Sequence, residues 1–207
     1  MILLKSKSID SIPVIEEFYS VQGEGFHTGK AAYFLRVGGC DLGCRWCDSK
    51  ESWDIDVHSY IPVSEIIERI LQTAARTVVV TGGEPMLYDF TGFTRIAAQH
   101  GIACYLETSG AYPVSGKWHW ICLSPKKQEP PVPANFTMAD ELKIVIYEES
   151  DFNWAEHCAS QVKHDCHLFL QPEWSRLRKN ANTIAEYVKQ NPQWRISLQS
   201  HKYLNIP

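Results

Sequence analysis

Short apolar runs alternate with amphipathic stretches along this chain. Val78-Val79-Val80 and Ile144-Val145-Ile146 are continuous rather than alternating, which predicts strands covered on both faces, as in a parallel sheet. Strands are predicted over residues 15–20, 32–37, 77–81, 102–107, 118–124, 141–147, 167–171 and 195–199. Helical spacing fills the gaps. In 63–75 the positions Ile66, Ile67, Ile70, Leu71 and Ala74 share one face, and Ser64 is a candidate N-cap. The helix over 90–100 stops at Gly101; those over 152–162 and 176–190 follow, the last ending before Pro192. Residues 127–139, with three prolines, read as an irregular loop, and no closing helix is expected after the last strand. Repeated βα units call for a parallel sheet or a barrel. Eight full units need about 250 residues, and the chain has 207. The expected fold is therefore α/β, a partial, open (βα) barrel in one domain spanning 1–207.

Composition narrows the function. A hydrophobic content of 44% supports a core, and 21% charged with 12% aromatic residues argues against disorder. The net charge of -4 leaves no broad basic surface for a nucleic-acid backbone, so no nucleic-acid partner is expected. The apolar start at residues 1–4 is followed at once by Lys5 and Lys7, and no run approaches the roughly 18 apolar residues of a membrane span. No membrane partner and a cytoplasmic location are expected. There are seven cysteines, three of them within eight positions, a pattern that in a reducing compartment means metal or catalysis rather than disulfides. Cys104, Cys122, Cys158 and Cys166 are scattered and read as small core residues.

In βα folds, chemistry gathers at the C-terminal ends of the strands. Glycine-rich or polar phrases follow the predicted strands: Gln22-Gly23-Glu24-Gly25, Gly38-Gly39-Cys40, Thr81-Gly82-Gly83-Glu84-Pro85, Glu107-Thr108-Ser109-Gly110, Ser124-Pro125-Lys126 and Gln171-Pro172-Glu173. Together they predict a rim at one end of the sheet. Cys40 ends one of them and is followed by Cys44 and Cys47 at spacings of three and two residues, with Gly43 easing the bend. Thiolates are the soft ligands of iron–sulfur clusters. Three ligands for four irons leave one iron open to bind something else. The competing reading is structural zinc, which wants four ligands; Asp48, His58 or Cys104 would have to complete it.

The C-x-x-x-C-x-x-C loop with Trp46 just before its last cysteine resembles the signature of radical S-adenosylmethionine (SAM) enzymes. The resemblance implies a 4Fe–4S cluster on Cys40, Cys44 and Cys47, with SAM chelating the open iron and yielding a 5′-deoxyadenosyl radical. Thr81-Gly82-Gly83-Glu84-Pro85 matches the superfamily's second motif, whose backbone and acidic side chain receive the methionyl ammonium. Further phrases resemble the 7-carboxy-7-deazaguanine synthases: the run from Phe18 to Gly25, Phe34-Leu35-Arg36, Cys47-Asp48-Ser49, Ser124-Pro125-Lys126, and the ending from Gln199 to Leu204. That family, on the route to queuosine, converts 6-carboxy-5,6,7,8-tetrahydropterin to 7-carboxy-7-deazaguanine with loss of ammonia. The radical takes the hydrogen from pterin C6 and the hydrogen later returns to regenerate SAM.

By this resemblance the pterin meets Gln22, Gly23, Glu24, Arg36, Thr81, His201 and the carboxylate of Pro207. A guanidine-like donor edge suits Glu24, and the substrate carboxylate suits the Arg36 fork. SAM meets Trp46, Cys47, Asp48, Gly83, Ser124, Pro125, Lys126, Gln171, Pro172, Glu173 and Trp174. The family requires Mg2+, bound with the help of a hydroxyl residue, threonine in most members; Ser49 stands there and keeps a hard oxygen. Family members are homodimers and take electrons from a donor such as flavodoxin or ferredoxin. Glu107 and Lys143 fall near the rim without an assigned role. Two other readings are another radical SAM activity, such as a glycyl-radical activating enzyme, and a non-catalytic zinc- or cluster-binding module.

Overall fold

The computed structural model describes residues 10–54 and 58–207; the apolar start and the lysines that follow it lie outside the described residues. Nine strands form one sheet: β1 (Ser11–Val21), β2 (Ala31–Val37), β3 (Ser59–Pro62), β4 (Thr77–Gly82), β5 (Ala103–Thr108), β6 (Trp120–Leu123), β7 (Glu141–Ile146), β8 (His167–Pro172) and β9 (Trp194–Ile196). Their spatial order is β3-β1-β2-β4-β5-β6-β7-β8-β9. From β2 through β9 every neighbouring pair is parallel, while β1 runs antiparallel to both β2 and β3. Among the described residues nothing pairs β3 with β9, so the barrel is open, as its length demands.

Helices α1 (Val63–Leu71), α2 (Thr91–Gln99), α3 (Pro133–Met138), α4 (Ser150–Ala159) and α5 (Leu177–Gln190) connect successive strands, and α6 (Ser200–Leu204) follows β9. Five expectations change. The first strand forms a hairpin with the second rather than a βα unit, and β3 was not foreseen because its four residues are mostly exposed. Ser64 does not cap α1: the chain enters directly from β3, and Pro62 holds the N-cap position in an extended conformation. Inside the expected loop 127–139, Pro133 opens α3 at the first turn, where a missing N–H costs nothing. The chain does acquire a closing helix, α6, anchored by Ser200 N–H donating to Gly23 O at 2.9 Å and ending at Asn205 in the left-handed region (φ 53°).

The strand alternation separates two environments. Val78 and Val80 join Leu35, Leu106, Ile66, Ile70 and Phe93 in one core beneath α1 and α2. Leu142, Ile144 and Ile146 join Phe152, Ala155, Leu170 and Ile184 in a second, beneath α4 and α5. Val79 points the other way, packing with Ala32 and Phe34. The valine run of β4 thus belongs to a strand with both faces covered, whereas on β7 Val145 is only half-buried.

The segment joining β1 to β2 turns inward across the concave face. Gly25 adopts φ +64°, and a Cβ there would lie 1.9 Å from the Glu141 carboxylate, so only glycine lets the backbone pass. Phe26 stacks on Trp120 and on His167, and His27 stacks on Tyr105. Gly25 N–H donates to Ser197 Oγ at 2.9 Å, which joins the hairpin to the chain just beyond β9 and spans the gap in the barrel.

His27 is 8% exposed. Lys30 Nζ can only donate, so His27 Nδ1 accepts at 2.9 Å and the proton sits on Nε2, a buried atom without a partner among the described residues. Burial, with help from Lys30 and His167, pushes its pKa down from the ordinary 6.5 to about 4. The unfolded chain therefore binds a proton here before the folded one does, and the stability present above pH 6.5 is lost as pH falls towards 4. Urea unfolding midpoints should drop across that window and drop less steeply in His27→Phe, which keeps the ring stack; equal slopes would contradict the assignment.

Candidate active site

A cavity of about 500 Å³ opens on the concave face. The ends of β2, β4, β5, β6 and β8 deliver five of the six phrases to its rim. The sixth departs from expectation: β1 is antiparallel, so Gln22-Gly23-Glu24 begins beside the start of β2, with Val21 opposite Ala31. That segment reaches the same cavity from the opposite direction. Every residue assigned from the resemblance lines this cavity except Pro125, which is buried between its neighbours. Phe18, Glu107, Lys143, Gln199 and Lys202 line it as well. A lysine within the apolar strand Glu141-Leu142-Lys143-Ile144 was the available signal for one of these.

Backbone bonds shape the cysteine loop. Gly39 N–H donates to Ser52 O at 2.7 Å and Cys47 N–H to Cys44 O at 3.0 Å. Cys40, Cys44 and Cys47 all face the cavity. Cys44 Sγ accepts from Gln128 Nε2 at 3.1 Å and Cys47 Sγ from the Ser49 N–H at 3.4 Å, bonds that suit thiolates bearing charge to a cluster. Burial pushes the Cys40 thiol up to about 11, so a bound metal has to draw off its proton. The fourth ligand that zinc needs is not supplied by the expected candidates. His58 Nε2 is 3.0 Å from Glu51 O, Cys104 is buried in the core, and Asp48 Oδ2 accepts from Gln199 and Lys202. A set of three thiols on one cavity wall fits a 4Fe–4S cluster.

Glu84 corrects the second-motif expectation. Its carboxylate accepts from Met86 N–H at 2.9 Å, Thr108 Oγ at 2.6 Å, Ser109 N–H at 2.9 Å and Ser109 Oγ at 2.5 Å. A carboxylate has about four lone-pair sites, and all are taken; at 1% exposed the side chain ties β4 to β5 and cannot receive an ammonium. The backbone at Gly83 stays close to the loop, since a Cβ there would lie 2.1 Å from Gly39 O.

Two other carboxylates are held differently. Glu24 Oε2 pairs with Lys143 Nζ at 2.5 Å and Oε1 accepts from Gln199 Nε2 at 2.9 Å. Glu107 accepts from Gln22 Nε2 at 3.0 Å and from Thr81 Oγ at 3.2 Å. Both keep acceptor capacity facing the cavity. Arg36 donates from Nε to Glu16 at 2.6 Å and from Nη1 to Ser49 Oγ at 3.1 Å, so Nη2 is the edge of its fork that neither bond uses. His201 packs against Gly23, where a Cβ would lie 2.1 Å from its Nδ1; burial lowers its pKa. Pro207 reaches the wall, an oxygen of its carboxylate accepting from Ser20 Oγ at 3.0 Å.

Across the cavity, Lys126 Nζ lies 5.5 Å from the Trp46 ring centroid and donates to Ser124 Oγ at 2.9 Å. Gln171 is pinned by Ser197 Oγ at 2.8 Å. Glu173 caps the turn that follows β8, accepting from the N–H groups of Ser175 and Arg176. Trp174 packs edge-on against Tyr203 of α6.

Replacing Cys40, Cys44 or Cys47 singly with alanine should abolish the cluster, because each thiolate holds a different iron. Replacing Cys158, which lies on the buried face of α4, should leave iron content unchanged. Iron and sulfide analysis after anaerobic reconstitution checks both, and a full complement of iron in Cys44→Ala would refute the ligand set.

Residues 35–119 match the Radical SAM superfamily. A 7-carboxy-7-deazaguanine synthase of Flavobacterium psychrophilum is 50% identical over 198 residues, covering 96% of this chain and 94% of the relative. One from Synechocystis sp. is 42% identical, covering 95% and 94%. The crystal structure of QueE from Escherichia coli superposes with a TM-score of 0.82 at 28% identity, covering 92% of this chain and 95% of that one. The chain belongs to the 7-carboxy-7-deazaguanine synthase family of radical SAM enzymes.

Proposed function

We infer that this chain is a radical SAM lyase that converts 6-carboxy-5,6,7,8-tetrahydropterin to 7-carboxy-7-deazaguanine with loss of ammonia. The observation that carries the reading is one cavity in which the cysteine loop faces an acceptor wall built by Gln22, Glu24 and Glu107. When bound, the cluster and SAM supply a 5′-deoxyadenosyl radical. The chain's own residues place the pterin for it. Gln22, Gly23 and Glu24 accept from the guanidine-like edge, Thr81 borders the ring, and the free edge of the Arg36 fork takes the carboxylate. His201 and Pro207 close the substrate side.

Trp46, Cys47, Asp48, Gly83, Ser124, Pro125, Lys126 and the run Gln171, Pro172, Glu173 and Trp174 are assigned to SAM, with the ammonium at the Gly83 backbone because the Glu84 carboxylate is saturated. The hard chemistry belongs to the cofactor; the protein orients and shields it. A homodimer in the cytoplasm and a flavodoxin- or ferredoxin-type donor complete the proposal. Among the described residues no helix is long and apolar enough to cross a membrane.

Magnesium is proposed at Ser49, whose hydroxyl oxygen accepts from Arg36 Nη1 at 3.1 Å beside the cysteine loop, a bond the metal would have to displace. Incubating the reduced, reconstituted protein with SAM, Mg2+ and the carboxypterin should yield 7-carboxy-7-deazaguanine by mass spectrometry; SAM cleavage with no pterin product would favour another radical SAM activity. Ser49→Ala should lower apparent Mg2+ affinity by roughly tenfold or more, and Ser49→Thr should restore it, with iron content equal in both. Turnover in the parent protein that needs no Mg2+ would remove the metal from the scheme.

A further inference from the structure

Lys143 carries a charge deep within the wall of this cavity. Its side chain is 6% exposed, and its ammonium stands 2.5 Å from Glu24 Oε2 and 4.0 Å from Glu107 Oε1. The three groups come from separate elements: Lys143 from β7, Glu107 from β5 and Glu24 from the segment after β1. Two carboxylates crowded on one poorly solvated wall repel each other, and burial disfavours each charge. A cation set between them offsets both effects.

Glu141, two positions back on β7 and so on the same face, adds a third carboxylate to the surroundings. It is turned to Phe26 N–H and Trp120 Nε1, each at 3.2 Å. Burial opposes the charge on Lys143, yet the neighbouring Cys122 and the carboxylates of Glu107, Glu24 and Glu141 hold its pKa well above the ordinary lysine value. Burial likewise raises Glu24, but attraction to Lys143 and the bonds from Lys143 and Gln199 leave it below the usual range.

Contrast with Glu84 shows what this arrangement is for. Glu84 spends every lone pair on the protein. Glu24 and Glu107 each accept two hydrogen bonds among the described residues, leaving about half of their acceptor sites to a ligand. We propose that Lys143 is a positioning residue for the substrate's donor edge: its ammonium bridges Glu24 and Glu107 and fixes them as one charged acceptor pair that selects a 2-amino pyrimidinone edge. This rests on the pterin lying against Glu24.

The test uses the reconstituted holoenzyme with SAM bound and the cluster left oxidised, so that pterin binding is read at equilibrium without turnover. Dissociation constants are compared for the carboxypterin and for its analogue bearing oxygen in place of the 2-amino group. Lys143→Met should weaken carboxypterin binding at least tenfold and reduce its preference over the analogue by a similar factor. SAM affinity and iron content should stay at parent values. In a Glu24→Gln background the added loss should be markedly smaller, because the charge that needed a partner is gone.

Should Lys143→Met not fold, Lys143→Arg against Lys143→Gln carries the same comparison, with preference kept in the first and lost in the second. Unchanged preference in the neutral variants, or effects that simply multiply in the double mutant, would overturn the proposal. A Glu24→Gln protein that binds the pterin as the parent does would instead remove the reading on which it rests.

Discussion

The whole arrangement depends on the two-residue period of the parallel strands. A strand flanked on both sides must satisfy two environments at once, and successive residues are the only means it has. On β7 this sends Leu142, Ile144 and Ile146 into the helix layer and leaves Lys143 and Val145 on the cavity. On β5, Cys104 and Leu106 join the core while Glu107 faces the site. A slip of one residue would exchange the sets, burying carboxylates against leucine and emptying the cavity of charge. The hydrophobic packing that stabilises the fold therefore also fixes the height and direction of each polar group.

Much of this was legible because its causes are local. The cysteine spacing, the valine run of β4 and the glycine after α2 each act within a few residues, and strand and helix positions follow from them. What escaped the sequence rests on partners far apart. Glu84 reads as a ligand in its motif, and only the meeting of β4 with β5 shows its carboxylate consumed by Thr108 and Ser109. Glu107 and Lys143 carry no motif; their meaning arises when β5, β7 and the hairpin segment converge. The antiparallel sense of β1 was hidden for the same reason, since a strand's direction is set by its neighbours and not by its own composition.

Polar groups in this cavity sort by how fully the protein already satisfies them. Glu84 is tied down and serves as a strut between β4 and β5. Glu24, Glu107 and the free edge of Arg36 keep part of their bonding capacity, and they are the groups a ligand can reach. Partial satisfaction on a rigid support is what pre-organisation requires, because the geometry is set before the ligand arrives and its final bonds are the ones left open.

The bond between Glu24 and Gln199 joins residues 175 positions apart, and the anchor between Gly23 and Ser200 lies beside it. Its consequence concerns the order in which the molecule is made. A chain emerging from the ribosome can form β2, β4 and the first helices while much of its length is still unmade. The substrate wall has no counterpart at that stage, since two of its supports come from the last dozen residues. Closing so long a loop is slow relative to local folding. The substrate wall is thus a late product of folding, and only a chain that has been read through to residue 200 can hold it.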